Sequence, residues 1–181
     1  DIARADKALL EEQLGSAGLH FHELANARDP RRVLRGRGAR SIGSDRTLGE
    51  DVSSIDQIEV HLRRSADRIA RRVRAKDYVA GGIRVRLKTN KFEMLSRQRQ
   101  LPHPADTADT FFRIARELLK EFDHAGPFRL VGMAAYDLRW RDEPHQLDLF
   151  EDTLKRDLET TIDDLADRFG SGVVVRARDI N

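Results

Sequence analysis

Residues Ile83-Arg84-Val85-Arg86-Leu87-Lys88 alternate apolar and cationic side chains without a break. A helix would scatter those six around its circumference. A strand sends Ile83, Val85 and Leu87 to one face and Arg84, Arg86 and Lys88 to the other. The chain must therefore build a sheet with one face covered and the opposite face open and positively charged. The covering elements are also legible. Ile55 to Arg74 places Ile55, Ile58, Leu62, Ile69 and Val73 on one helical face, with Arg63, Arg64, Arg68, Arg71 and Arg72 mostly outside. Thr107 to Phe122 forms a second helix, introduced by Pro102 and Pro104, with Asp106 as the capping residue. Further strands fall at Ser41–Leu48, at Phe92–Leu101 across the Thr89-Asn90-Lys91 turn, and at Phe128–Leu138. The order β-α-β-β-α-β predicts an α+β fold: a four-stranded antiparallel sheet with two helices on one face.

The flanks differ from this body. Residues 1 to 14 predict a helix with an apolar stripe of Ile2, Ala5, Leu9, Leu10 and Leu14. Gly15-Ser16-Ala17-Gly18 interrupts it, Leu19 to Ala27 resumes it, and Asp29-Pro30 marks a turn. Helix, Gly-x-x-Gly, helix allows backbone N–H groups to approach a phosphate, and it is equally the form of a plain helix-connecting turn. Arg31 to Arg40 is a basic linker broken by Gly36 and Gly38, so a unit boundary belongs there. At the other end Glu143-Pro144-His145 forms a turn. Gln146-Leu147-Asp148-Leu149-Phe150 follows, an apolar anchor in a polar stretch, of the kind that inserts into a pocket on a partner. Leu154, Leu158, Ile162, Leu165 and Phe169 then form a helical stripe ended by Gly170, and Val173-Val174-Val175 predicts a short strand.

Composition narrows the function. None of the 181 residues is a cysteine, which excludes disulfides, thiolate metal sites and cysteine nucleophiles. No apolar run reaches membrane-spanning length and no signal segment opens the chain, so a cytoplasmic protein without membrane contact is expected. The chain starts at Asp1 without a methionine, as an excised piece of something longer would. Its net charge of +2 conceals an asymmetry. Arg35 to Ala105 holds 17 Lys/Arg against 8 Asp/Glu, and Asp142 to Phe169 holds 3 against 10. A basic body with an acidic end predicts a polyanion-binding domain and a C-terminus used differently.

The ordered motifs resemble the Y-family translesion DNA polymerases, of the bacterial DNA polymerase IV type. Residues 1–34, with the Gly15–Gly18 hairpin and Arg28-Asp29-Pro30-Arg31-Arg32-Val33, look like the end of the helical thumb. Residues 35–40 would be the basic linker and 41–141 the little-finger domain. Arg40-Ser41-Ile42-Gly43-Ser44-Asp45-Arg46-Thr47 resembles that domain's opening strand, with Asp45 where glutamate is commoner. Ile83–Lys88 with Phe92–Leu101 is similar to its central hairpin, and Phe128-Arg129-Leu130-Val131-Gly132-Met133 to its closing strand. Residues 142–152 contain a string similar to the peptide that docks on the bacterial sliding clamp (its beta subunit). Residues 153–181 would be an acidic tail with a helix and a short strand.

The resemblance implies a mechanism. Such a domain lays its sheet in the major groove and grips template-primer DNA by its backbone, as a monomer. Arg40, Ser41, Ser44 and Arg46 would hold one strand. Arg84, Arg86, Lys88, Ser96, Arg97, Arg99 and Arg129 would hold phosphates on the rest of the sheet, and Gly15 and Gly18 would touch the duplex. Gln146, Leu147, Asp148, Leu149 and Phe150 would bind the clamp. The Mg2+-binding carboxylates of nucleotidyl transfer lie in the palm, N-terminal to the thumb, so this chain should hold no catalytic residue, metal or cofactor and be inactive alone. Two alternatives stand beside this reading. One is a Y-family homologue without catalytic acids that serves as a clamp adaptor in a mutagenesis complex. The other is an unrelated ferredoxin-like module binding RNA or a small effector, of which RNA binding is disfavoured because the central strands carry Arg84, Arg86, Lys88 and Met94 instead of stacking aromatics.

Overall fold

The computed structural model describes residues 1–32, 38–123, 126–143, 153–170 and 173–174. The chain divides into two compact units, Asp1–Gly38 and Ala39–Asn181. In the first, a 3-10 turn at Ile2–Arg4 precedes α1 (Lys7–Leu14) and α2 (Ser16–Ala25). The single helix expected over residues 1–14 is split, because the Asp6 carboxylate accepts the Ala8 N–H at 2.8 Å and caps α1 afresh. Gly15, at φ 62°, makes the reversal between α1 and α2. The predicted stripe is not covered within this unit: Ile2, Leu9 and Leu14 remain 47–50% exposed.

The second unit holds β1 (Ser41–Val52), α3 (Ile55–Arg74), β2 (Tyr78–Thr89), β3 (Met94–Ala105), α4 (Ala108–Leu119), β4 (Phe128–Trp140) and α5 (Thr153–Phe169). All strand pairs are antiparallel and the sheet order is β1-β4-β2-β3, so β2 and β4 are central. This is the expected α+β architecture with longer strands. β2 begins at Tyr78, so Gly81 and Gly82 lie inside it. β3 begins at Met94 because Phe92 takes φ 69° in the turn. It then runs on through Pro102 and Pro104, which an edge strand tolerates because one row of its N–H groups needs no partner.

Register decides which side chains share a face. Ile42, Ala135 and Ile83 lie side by side across the sheet, as do Met133 with Val85 and Val131 with Leu87. All are buried under α3 and α4. From α3 the core takes Ile58, Leu62, Ile69 and Val73, and from α4 Phe111, Ile114 and Leu118. Each large apolar side chain fully buried in this way stabilises the fold by roughly 1.5–3 kcal/mol. Ile55, the first residue of α3, is the exception to the expected face and stays 62% exposed.

The acidic helix α5 departs further from the expected pattern. Its stripe does not pack inward: Leu154, Leu158 and Phe169 are 59–79% exposed, and only Ile162 and Leu165 are half-buried. Two of its carboxylates turn inward instead. The Glu159 side chain is 5% exposed and receives Arg74 at 2.6 Å, while Asp163 receives the same guanidinium at 2.7 Å. Arg71 pairs with Asp167. Glu159 also accepts the Ala108 N–H at 2.9 and 3.1 Å, so it supplies an N-terminal cap that Thr107, the residue before α4, does not make with its own side chain. Asp106, expected to cap α4, is instead buried between Arg141 and Arg156, both at 3.0 Å. The short strand expected near the end is not formed: Val173 and Val174 lie in a bend, and Val175 is outside the described residues.

Candidate nucleic-acid interface

The sheet face away from α3 and α4 is organised in cross-strand rows. Ser41, Tyr136, Gly82 and Gln100 make one. Gly43, Ala134, Arg84 and Gln98 make the next, followed by Asp45, Gly132, Arg86 and Ser96, then Thr47, Leu130, Lys88 and Met94. Arg84, Arg86 and Lys88 therefore run down the middle of the open face as the alternation required. The glycines keep this face low. A Cβ on Gly132 would lie 2.1 Å from Asp45 Oδ1, and one on Gly82 would lie 2.3 Å from the Tyr136 ring.

Each cation is aimed by a neighbour. Arg84 donates to Gln98 Oε1 at 2.6 and 2.8 Å, and its guanidinium lies 5.5 Å from the Tyr136 ring centroid. Arg86 donates to both Asp45 oxygens, at 2.7 and 2.9 Å, across the gap that Gly132 leaves. Lys88 Nζ and the Arg129 guanidinium flank the Phe92 ring at 4.9 and 4.1 Å, which gathers two charges at the hairpin tip. Arg129 reaches there because the register slips between Lys88 and Thr89. Leu130 pairs with the first and Phe128 with the second, so Arg129 is left without a partner on β2.

Arg97 and Arg99 are not on this face. They oppose Val85 and Ile83, so they point to the helix side of edge strand β3. There Arg99 pairs with Glu117 and Glu121, while Arg97 donates to the Glu121 carbonyl at 3.1 Å and lies over Phe122. Period-two counting within β3 could have shown this, since Ser96 and Arg97 cannot share a face. Ser44 and Arg46 likewise oppose Met133 and Val131 and lie on the helix side of edge strand β1, whereas Ser41 faces the open side. Arg40 is exposed just before β1.

Gly15 and Gly18 do not offer their N–H groups. Gly15 donates to the Glu11 carbonyl at 2.8 Å and Gly18 to the Gly15 carbonyl at 2.9 Å. Gly18 has a packing reason: a Cβ there would meet the Leu10 carbonyl oxygen at 2.1 Å. The first N–H groups of α2, those of Ser16 and Ala17, have no acceptor within the helix. Gln146, Leu147, Asp148, Leu149 and Phe150 lie outside the described residues. Among the described residues no group of three or more His, Asp or Glu side chains is placed to hold a metal ion, and no helix is long and apolar enough to cross a membrane.

Sequence analysis missed four contributors to the open face. Tyr136, Gln98, Phe92 and Asp45 orient the cations. Cross-strand register identifies Tyr136, Gln98 and Asp45, and the turn conformation of Phe92 brings its ring to Lys88 and Arg129.

Comparison with known proteins follows the same lines. Residues 39–149 match the model of the impB/mucB/samB family C-terminal domain. A protein named DNA polymerase IV from Caulobacter vibrioides is 33% identical over 180 residues, covering 98% of this chain and 44% of that protein. One of the same name from Pelotomaculum thermopropionicum is 32% identical over 181 residues, covering 98% of this chain and 45% of that protein. The chain thus spans less than half the length of these relatives. A solved Y-family DNA polymerase chimera shares the fold, at a TM-score of 0.55 and 21% identity, over 77% of this chain and 40% of that one. The match over residues 39–149, which contain the whole four-stranded sheet with α3 and α4, assigns the chain to the impB/mucB/samB family, whose C-terminal domain it carries.

Proposed function

We propose that this chain is the DNA-gripping and clamp-docking part of an error-prone translesion DNA polymerase. The row of Arg84, Arg86 and Lys88 along an uncovered sheet carries this reading. Three cations at two-residue spacing, held upright by Gln98, Asp45 and Phe92, match a sugar-phosphate backbone better than they match any base edge. Phosphate contacts fix position without reading sequence, which suits a grip on a template whose bases are damaged. Ser41 and Ser96 border the row and would add hydroxyl contacts, and Arg40 and Arg129 would extend it at either end. Arg46 and Arg97 would reach a backbone only past the edges of the sheet, and Arg99 only by giving up its carboxylates. Gln146–Phe150 would tether the enzyme to the bacterial sliding clamp. The nucleotidyl transfer itself, with its Mg2+ ions, would belong to a palm outside these residues, in a cytoplasmic parent that works in DNA repair and mutagenesis.

Titrating the chain against a blunt DNA duplex over a range of salt tests the grip. Arg84→Glu/Arg86→Glu should weaken binding at least tenfold and lower the salt slope by about 2, close to 0.9 for each phosphate no longer neutralised. An unchanged slope would remove the duplex from this face.

A further inference from the structure

A second basic surface lies behind the β1 edge. Arg64, Arg68 and Arg72 recur every four residues along α3, which stacks them on one side of the helix at about 6 Å intervals. Two of them reach to the edge strand. Arg68 Nε donates to Ser44 Oγ at 3.2 Å, and Arg72 donates to the Gly43 carbonyl at 2.9 Å. Arg46 projects from β1 to the same side, because it opposes the buried Val131. Among the described residues none of these four has a carboxylate partner. Most other arginines of this unit have one: Arg71 and Arg74 with α5, Arg99 with α4, Arg116 with Glu59, and Arg86 with Asp45. An unneutralised row of four charges is costly unless an anion joins it.

We propose that Arg46, Arg64, Arg68 and Arg72 form a second phosphate-binding track, which takes a DNA strand around the β1 edge after it leaves the duplex on the open face. The inference rests on the DNA-binding reading above and extends it. Side chains of β1 alternate between the two faces: Ser41, Gly43, Asp45 and Thr47 look to the duplex, and Ser44 and Arg46 look back to α3. A duplex seated on the open face cannot present phosphates to both. A strand parting from it can, by crossing the edge. The arginines from 64 to 72 then cover about 12 Å of its path.

His61 reports on the track. It lies on α3 among these charges, and its Nδ1 is buried without a hydrogen-bond partner. Burial pushes the imidazole below its ordinary value, and Arg46 of β1 with Arg64 and Arg68 of its own helix push it the same way. A phosphate on the track offsets the arginines, so the His61 pKa must rise on binding. Affinity for a strand on the track therefore increases as pH falls through that value.

The test compares a blunt duplex with the same duplex carrying a single-stranded 5′ or 3′ extension, each titrated onto the 181-residue chain by anisotropy. An extension should tighten binding severalfold. Arg64→Gln/Arg68→Gln/Arg72→Gln should abolish that gain, lower the salt slope on the extended substrate by about 2, and spare the blunt duplex. Arg84→Glu/Arg86→Glu should weaken both substrates alike and leave the gain from the extension in place. If only the open-face variant matters, the track is overturned and the grip stands. If the flank variant weakens blunt and extended substrates equally, the strand path is overturned. If the open-face variant changes neither substrate, the grip itself fails. NMR titration of His61 in the unsubstituted chain, with and without the extended duplex, needs no variant that could misfold. A higher pKa in the complex supports the track, and an unchanged one overturns it.

Discussion

Gly132 shows how one missing side chain configures a charge. Its place opposite Asp45 and Arg86 lets the carboxylate lie flat across β4 and hold the guanidinium by two hydrogen bonds. Gly132→Ala puts a methyl group where the Asp45 Oδ1 now lies. The carboxylate is the mobile end of an exposed side chain, so it should swing away with little harm to the fold. The broken pair is a surface one, so stability should fall by no more than about 1 kcal/mol. Duplex affinity should rise, because Arg86 no longer has an internal counter-ion to exchange for a phosphate. Thermal unfolding and duplex titration of this variant check the two effects. A large drop in melting temperature would mean that the pair is structural. The sequence supplied Arg86 as a candidate from its alternation, but its partner is 41 positions earlier and on a strand two places away in the sheet. No local pattern carries that information.

Among the elements, β2 was the most legible and α5 the least. β2 announces its two faces because a buried and an open environment act on successive residues. α5 has the pattern of an ordinary amphipathic helix, yet it docks by Glu159, Asp163 and Asp167 and shows Leu154 and Leu158 to solvent. Its orientation is set by needs elsewhere: the uncapped start of α4 and the guanidinium of Arg74, which is 8% exposed. Arg97 and Arg99 fall between these cases, correctly placed on a strand but assigned to the wrong face. Glu159→Ala tests the docking. It leaves Arg74 and the Ala108 N–H to share what remains, and removing one partner of such a buried pair costs about 3–5 kcal/mol locally. The expected result is faster hydrogen exchange in α5 and the first turn of α4, with the β2 and β4 amides still protected. Uniform loss of protection would make α5 part of the global folding unit.

For the whole molecule, the proposed grip and the proposed tether occupy separate stretches of chain. Leu149→Ala/Phe150→Ala should therefore abolish binding to a bacterial sliding clamp while duplex affinity changes less than twofold. Anisotropy against each partner in turn measures both. Equal loss of both would mean that the pentapeptide supports the fold. The fold class was readable because the alternation of β2 and the helical periods of α3 and α4 are local consequences of burial. The relation of the tail to the body was not, because it is set by ion pairs between distant residues, such as Arg74 with Glu159 and Arg71 with Asp167, 85 and 96 positions apart.

Arg141 and Arg156 meet on the same oxygen of Asp106. The chain thus leaves the end of β4 and returns, at the first turn of α5, to within one carboxylate of where it left. Were Asp106 to lose its charge, the first turn of α5 would be unclasped from the end of β4. One buried carboxylate is in that sense the clasp between the sheet and the acidic helix.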